Sequence, residues 1–133
     1  MERSIQLSVF VENKPGTLAR ICEELSANDI NIFALTIADT IDHAIIRMVV
    51  SDPRRALELF EERGTFVSEN DVLMLEGKNQ PGELARIAVA LKEAQVNIEY
   101  AYLATPPGEG RGLLVLRAND LEAASKALTS IGY

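Results

Sequence analysis

The chain has 133 residues, 47% of them apolar and 25% charged, so the expectation is one domain or two small ones and no global disorder. With 13 Lys and Arg against 20 Asp and Glu the net charge is −7, which leaves no basic stripe to neutralise phosphates, and nucleic-acid binding is not expected. One cysteine, Cys22, and one histidine, His43, exclude an intrachain disulfide and the common His- and Cys-based metal and catalytic sites.

No apolar run approaches the roughly 20 residues of a membrane helix, and Met1–Phe10 lacks the basic and apolar blocks of a signal peptide. A cytoplasmic protein away from the membrane is expected. Ile5, Leu7, Val9 and Val11 alternate with Ser4, Gln6, Ser8, Phe10 and Glu12, which predicts a strand with Phe10 as the apolar outlier. Pro15-Gly16 ends that strand and opens a helix, whose face is read as Leu18, Ile21, Cys22 and Leu25. Cys22 is thereby expected in the core. Asn28-Asp29 stops the helix. Residues 30–39 and 44–51 are β-rich, with Asp42-His43 turning between them and His43 exposed. Asp52-Pro53 predicts a helix start, with Asp at N-cap and Pro at N1, and Gly64 stands where a C-terminal cap belongs. Residues 65–68 read as a short last strand.

The same order then begins again. Residues 72–76 read as a strand, and Leu84, Ile87, Ala88 and Leu91 as a helix face. Residues 96–105 and 112–117 read as strands. Gly108 to Gly112 lies between strands rather than opening a helix, so it is expected to be a hairpin and not a phosphate loop. Asp120 caps a helix with the face Leu121, Ala124, Leu128 and Ile131. No segment then follows for a last strand of the second copy. That edge is expected to be open, or filled by another segment or another chain. Ile45, Val49 and Leu113 should share a second sheet face with Arg47, Val115 and Arg117, part of it buried against a partner.

The repetition is explicit in the residues. Asn13-Lys14-Pro15-Gly16-Thr17-Leu18-Ala19-Arg20-Ile21 returns as Asn79-Gln80-Pro81-Gly82-Glu83-Leu84-Ala85-Arg86-Ile87, seven of nine positions identical at an offset of 66. Ile30-Asn31-Ile32 falls on Val96-Asn97-Ile98. After a two-residue insertion near Pro106-Pro107, Asp52 falls on Asp120 and Gly64 on Gly132. Two units are therefore expected, residues 1–69 and 70–133. Units this small bury only about 60% of their unfolded-chain surface, so an intimate pair is expected. The first has the order β-α-β-β-α-β of the ferredoxin-like split βαβ motif, an α+β fold, and the second repeats it without an obvious final strand. Arg20 and Arg86 are equivalent, and both read as exposed helix positions.

An apolar strand running into Asn-x-Pro-Gly-x-Leu, an amphipathic helix and a hydrophobic-Asn-Ile strand resembles the ACT domain. The resemblance covers nearly the whole chain, twice, and the arrangement is similar to stand-alone tandem ACT proteins. It implies two βαββαβ units packed side by side, an amino-acid-binding, allosteric regulatory role and ligand at the junction of the units. The chemistry of the loop agrees. A helix N-terminus offers unpaired N–H groups and partial positive charge to a carboxylate. Gly16 and Gly82 permit close backbone approach, and the Asn13 and Asn79 amides offer donor and acceptor. The expectation is two pseudo-symmetric sites, each pairing one unit's loop with the other's strand asparagine. One loop is Asn13, Pro15, Gly16, Thr17 and Leu18; the other is Asn79, Pro81, Gly82, Glu83 and Leu84; the strand asparagines are Asn31 and Asn97.

In some members a histidine lies two residues before the loop asparagine; here Val11 and Gly77 stand there. Glu83 in place of Thr17 would repel a carboxylate, so the two sites are not expected to be equivalent. No cofactor, no metal and no catalysis are expected. The expected partners are a small amino acid, a regulated enzyme and a second copy of the chain. An alternative is a constitutive interaction subunit without its own ligand, since the opening stretch resembles the small regulatory subunit of acetolactate synthase.

Overall fold

Strand β1 (Glu2–Glu12) forms where the period-2 pattern requires it, and it sends Leu7, Val9 and Val11 into a buried cluster. The computed structural model describes all residues from Met1 to Tyr133. In chain order β1 is followed by α1 (Thr17–Ala27), β2 (Ile32–Asp39), β3 (His43–Val50), α2 (Pro53–Glu62) and β4 (Phe66–Lys78). Then come α3 (Glu83–Glu93), β5 (Ile98–Ala104), β6 (Arg111–Ala118) and α4 (Leu121–Ser130). The chain is α+β and divides into two compact units. The N-terminal unit is Ile5–Asn70; the C-terminal unit is Asp71–Tyr133 together with Met1–Ser4.

In the N-terminal unit β3 pairs antiparallel with both β1 and β2, in registers that include Val9↔Ile46 and Leu35↔Met48. Ile46, Met48 and Val50 join the β1 residues and meet Ile21 and Leu25 of α1 and Ala56, Leu59 and Phe60 of α2. Helix α2 starts as expected, with Pro53 at its first position and the Asp52 carboxylate accepting from the Arg55 N–H at 3.0 Å. On helix α1 the expected face is met at Ile21 and Leu25, which are buried together with Thr17. It is not met at Leu18, which is exposed, or at Cys22, which is half-buried and outside the core.

The C-terminal unit repeats the plan. β6 pairs antiparallel with β4 and β5, including Leu75↔Leu114 and Leu103↔Leu114. Its core holds Leu73, Leu75, Leu114 and Leu116 from the strands, Ile87 and Leu91 from α3, and Ala124 and Leu128 from α4. The same partial agreement recurs on α3: Ile87 and Leu91 are buried as expected, with Glu83 and Ala90 beside them, whereas Leu84 and Ala88 are exposed. Asp120 caps α4 by accepting from the Ala123 N–H at 2.9 Å.

One further expectation is corrected, and one left open is resolved. The strands expected at 65–68 and 72–76 are one strand, β4, which passes through Glu69-Asn70-Asp71 without a break. Those residues are polar, but none is a glycine or proline that would stop a ladder. The missing last strand of the second copy is answered from the other end of the chain. Glu2–Ser4, extended as the start of β1, belong to this unit, and the Arg3 guanidinium binds the Asp71 carboxylate of β4 at 2.7 Å. On the second sheet face Val49 and Val115 are already buried within the single chain.

Candidate functional site

The Asn-x-Pro-Gly segments form the same turn in both units. At the end of β1 the Asn13 N–H donates to the Asp42 carbonyl at 3.2 Å, and at the end of β4 the Asn79 N–H donates to that of Gly110 at 3.0 Å. Gly16 and Gly82 then take φ of +89° and +90°, the left-handed region that a side chain resists. A Cβ at either would meet nothing within 4 Å, so backbone conformation, not crowding, requires the glycine. Each glycine carbonyl accepts from the arginine N–H four residues on, Arg20 at 3.0 Å and Arg86 at 2.9 Å. Neither α1 nor α3 has a side-chain cap on its N-terminal N–H groups. That leaves first-turn donors and the positive end of the helix dipole at the surface.

From this common frame the two units diverge. In the N-terminal unit the turn borders an open cleft of ≈ 740 Å³ whose walls include Lys14, Pro15, Gly16, Thr17, Arg20 and Thr65. Phe10 and Phe66 form its apolar end, their rings edge to face with centroids 5.1 Å apart. Lys14 is paired to Glu12 at 2.9 Å, and this contact holds the exposed Glu12 carboxyl below its usual range. Arg20 lies in the same wall and makes no ion pair.

In the C-terminal unit the corresponding cleft, bordered by Lys78, Glu83, Arg86, Arg111 and Tyr133, is narrowed to ≈ 240 Å³ by the chain's own side chains. Glu83, in the position of Thr17, is buried. Its Oε1 accepts from Arg86 Nη2 at 2.9 Å and from the Tyr133 hydroxyl. The Arg86 guanidinium stacks over the Tyr133 ring at 5.1 Å and donates to the Ile131 carbonyl at 2.5 Å. Hydrogen bonds from Arg86 and then Tyr133 lower the Glu83 carboxyl to about 2, against the opposing effect of burial. Burial, followed by the Glu83 carboxylate, raises the Tyr133 hydroxyl above its ordinary value.

Gly77 makes room for this packing, and Gly112 makes room for Thr105 beside it. A Cβ at Gly77 would sit 3.0 Å from the Tyr133 hydroxyl oxygen. One at Gly112 would collide with the Thr105 hydroxyl and lie 3.0 Å from the Thr105 Cβ. Beneath the turn remains a pocket of ≈ 100 Å³ bounded by Leu75, Leu103, Leu114, Glu83 and Asn79, among others.

The sequence-expected residues are therefore only partly brought together. Pro15, Gly16 and Thr17 line the N-terminal cleft; Asn13 and Leu18 are exposed beside it but are not in its wall. Asn79, Glu83 and Leu84 line the small C-terminal pocket, whereas Pro81 and Gly82 do not. The Asn79 amide is committed to the Glu109 carbonyl at 2.7 Å. Asn31 and Asn97 lie at the far ends of α1 and α3 from the loops of their own units. An 11-residue helix separates loop from strand asparagine, about 16 Å at 1.5 Å per residue. Their main chains close equivalent reciprocal pairs. Asn31 bonds to Ser51, and Asn97 to Asn119, each through two bonds of 2.9–3.1 Å.

Arg20, Arg86, Thr65 and Tyr133 were missed as site residues. The signal was present in the repeat: the arginines occupy one position of the identical Leu-Ala-Arg-Ile, and Thr65 and Tyr133 follow the matched Gly64 and Gly132.

A family model described as an ACT domain pair matches residues 3–130. A comparison with curated proteins finds no match. Among solved structures the chain is similar to protein BT0572 from Bacteroides thetaiotaomicron, at 33% identity over 96% of this chain and 88% of that one, with a TM-score of 0.89. It is also similar to the regulatory subunit of aspartate kinase from Thermus thermophilus in its ligand-free form, at 18% identity over 100% and 99% of the chains and a TM-score of 0.71. The regulatory subunit of aspartate kinase from Thermus flavus is similar at 18% identity over 98% and 92%, with a TM-score of 0.64. The last two likenesses are of fold alone.

Proposed function

The chain belongs to the ACT domain pair family, and from that premise we propose that it is a non-catalytic regulatory protein that binds a small amino acid and signals to a partner enzyme. The observation that carries this reading is the open N-terminal cleft, where the uncapped start of α1, Gly16 and Thr17 meet Lys14 and Arg20. Uncapped N–H groups and the helix dipole favour a carboxylate at that point. Phe10 and Phe66 at the other end of the cleft offer an apolar wall to a side chain. A regulatory role requires that the ligand bind two arrangements of the protein with different affinity, and a partner reads the shift between them. The regulatory subunits of aspartate kinase named above make an amino-acid biosynthetic enzyme the partner of choice. Phe33 and Ile37 on β2, each about half exposed, support a homodimer as the working form.

The test is a thermal-shift screen of the purified chain against the twenty amino acids. A ligand that binds only the folded state stabilises it by mass action, by about 2.7 kcal/mol at 100 times Kd. The expected outcome is a shift with one or a few amino acids. The ligand-free alternative, a constitutive interaction subunit, draws support from the C-terminal unit, whose loop is closed by its own residues. No shift with any amino acid at millimolar concentration would leave that alternative standing.

A further inference from the structure

The two copies of the loop present the same backbone with different side chains around it, and two of the differences bear on the arginine that both share. Glu83 replaces Thr17 at the first position of the helix, and Tyr133 replaces Thr65 after the matched glycine. The arginine is kept. In the C-terminal unit this arginine, Arg86, holds a buried carboxylate at 2.9 Å, and a phenol covers both. In the N-terminal unit Arg20 holds the equivalent helix position, has no carboxylate partner and faces an open cleft. We infer that the chain has one ligand site, not two: Arg20 takes the ligand's carboxylate in the N-terminal cleft, and in the C-terminal copy the equivalent arginine is already taken by Glu83 under Tyr133. The inference rests on the ligand-binding reading above and adds to it the residue that recognises the ligand and the number of sites per chain.

The chemistry of the closed copy supports the assignment for the open one. A guanidinium on the first turn of the helix reaches a carboxylate at its N-terminus, and an arginine fork suits that group. Lys14 pairs with Glu12, a carboxylate of the same cleft wall, at 2.9 Å, whereas Arg20 is the cation at the helix start. In the C-terminal copy an incoming carboxylate would meet a Glu83 that stays ionised at neutral pH and would have to displace Tyr133 from Arg86.

The test follows backbone amide NMR signals while sodium propionate, a bare carboxylate, is titrated against sodium chloride at matched ionic strength. In the wild-type chain, saturable shifts are expected at Gly16 to Arg20 and none at Gly82 to Arg86. In Arg20→Met the N-terminal shifts should weaken about tenfold or more, the loss of one charge-assisted hydrogen-bond partner. In the double variant Glu83→Thr/Tyr133→Thr, which copies the N-terminal residues, shifts should appear at Gly82 to Arg86. Equal shifts at both loops of the wild type, unchanged affinity in Arg20→Met, or no propionate response at all would each overturn the inference. Should the double variant not fold, the wild-type and Arg20→Met titrations decide the matter. A propionate response at Arg20 with no amino-acid hit would overturn only the amino-acid reading; an amino-acid hit without a propionate response would overturn only this one.

Discussion

Glu83 shows how one substitution changes what a repeated turn does. Its carboxyl is held at about 2 in the folded chain, against an ordinary 4.5, chiefly by the hydrogen bond from Arg86 and next by that from Tyr133. A depressed carboxyl contributes stability that is complete above the unfolded value and is lost as pH falls through the interval down to the folded one. The window is therefore pH 4.5 to about 2. Glu83→Gln removes the charge but keeps the shape. Melting temperatures of both proteins across this range should differ most above pH 4.5 and converge as the pH approaches 2. A gap that stays constant with pH would mean that the glutamate acts through packing alone. The sequence reading treated Glu83 only as a charge that would repel a carboxylate. It missed that Arg86 and Tyr133 neutralise and cover that charge, because the last residue of the chain does not sit near position 83 in sequence.

At the scale of elements, local chemistry was legible where it is self-contained. Asp52 and Asp120 were identifiable as caps because an N-cap needs only its own carboxylate and the N–H three residues on. On α1 and α3 the expectation held at Ile21, Leu25, Ile87 and Leu91 and failed at Leu18, Cys22, Leu84 and Ala88; the buried first position of each helix is a polar residue, Thr17 or Glu83, which a search for apolar residues passes over. The join at Glu69-Asn70-Asp71 was misread as an interruption because Asp and Asn are poor strand formers. Strand propensity is a matter of context, and β4 runs straight through. The β5–β6 hairpin offers a direct test of such context. Gly112 faces Thr105 so closely that a methyl group collides with the threonine hydroxyl, with the threonine Cβ at 3.0 Å. Gly112→Ala should cost about 1–3 kcal/mol in denaturant unfolding, as overpacking does. Thr105→Ala should recover part of that loss, so the two substitutions are non-additive. Strictly additive effects would place the cost of Gly112→Ala elsewhere.

For the whole molecule, the sequence repeat exposed two units but not how the chain shares its strands between them. Strand β1 gives Glu2–Ser4 to the C-terminal unit and Ile5–Glu12 to the N-terminal unit; β4 gives Phe66–Asn70 to the first and Asp71–Lys78 to the second. Each unit thus depends on strands that are covalently part of the other. A domain of about 60 residues that buries only about 60% of its chain surface is marginal by itself. Unfolding of either unit would pull β1 and β4 out of regular structure in both. The chain should therefore unfold in one cooperative transition, with calorimetric and van't Hoff enthalpies equal. The decisive comparison uses one buried residue from each core. Phe60→Ala in the N-terminal unit should cost about 3–5 kcal/mol, and Leu128→Ala in the C-terminal unit about 2–5 kcal/mol. Both side chains are essentially inaccessible to solvent, at 1% and 0% exposure. Each variant should move the whole transition and leave it single. Two resolved steps, with each variant shifting only its own, would show that the shared strands do not couple the units. Coupling matters for regulation, because a ligand held by the loop of one unit biases the other only through a coupling free energy between them.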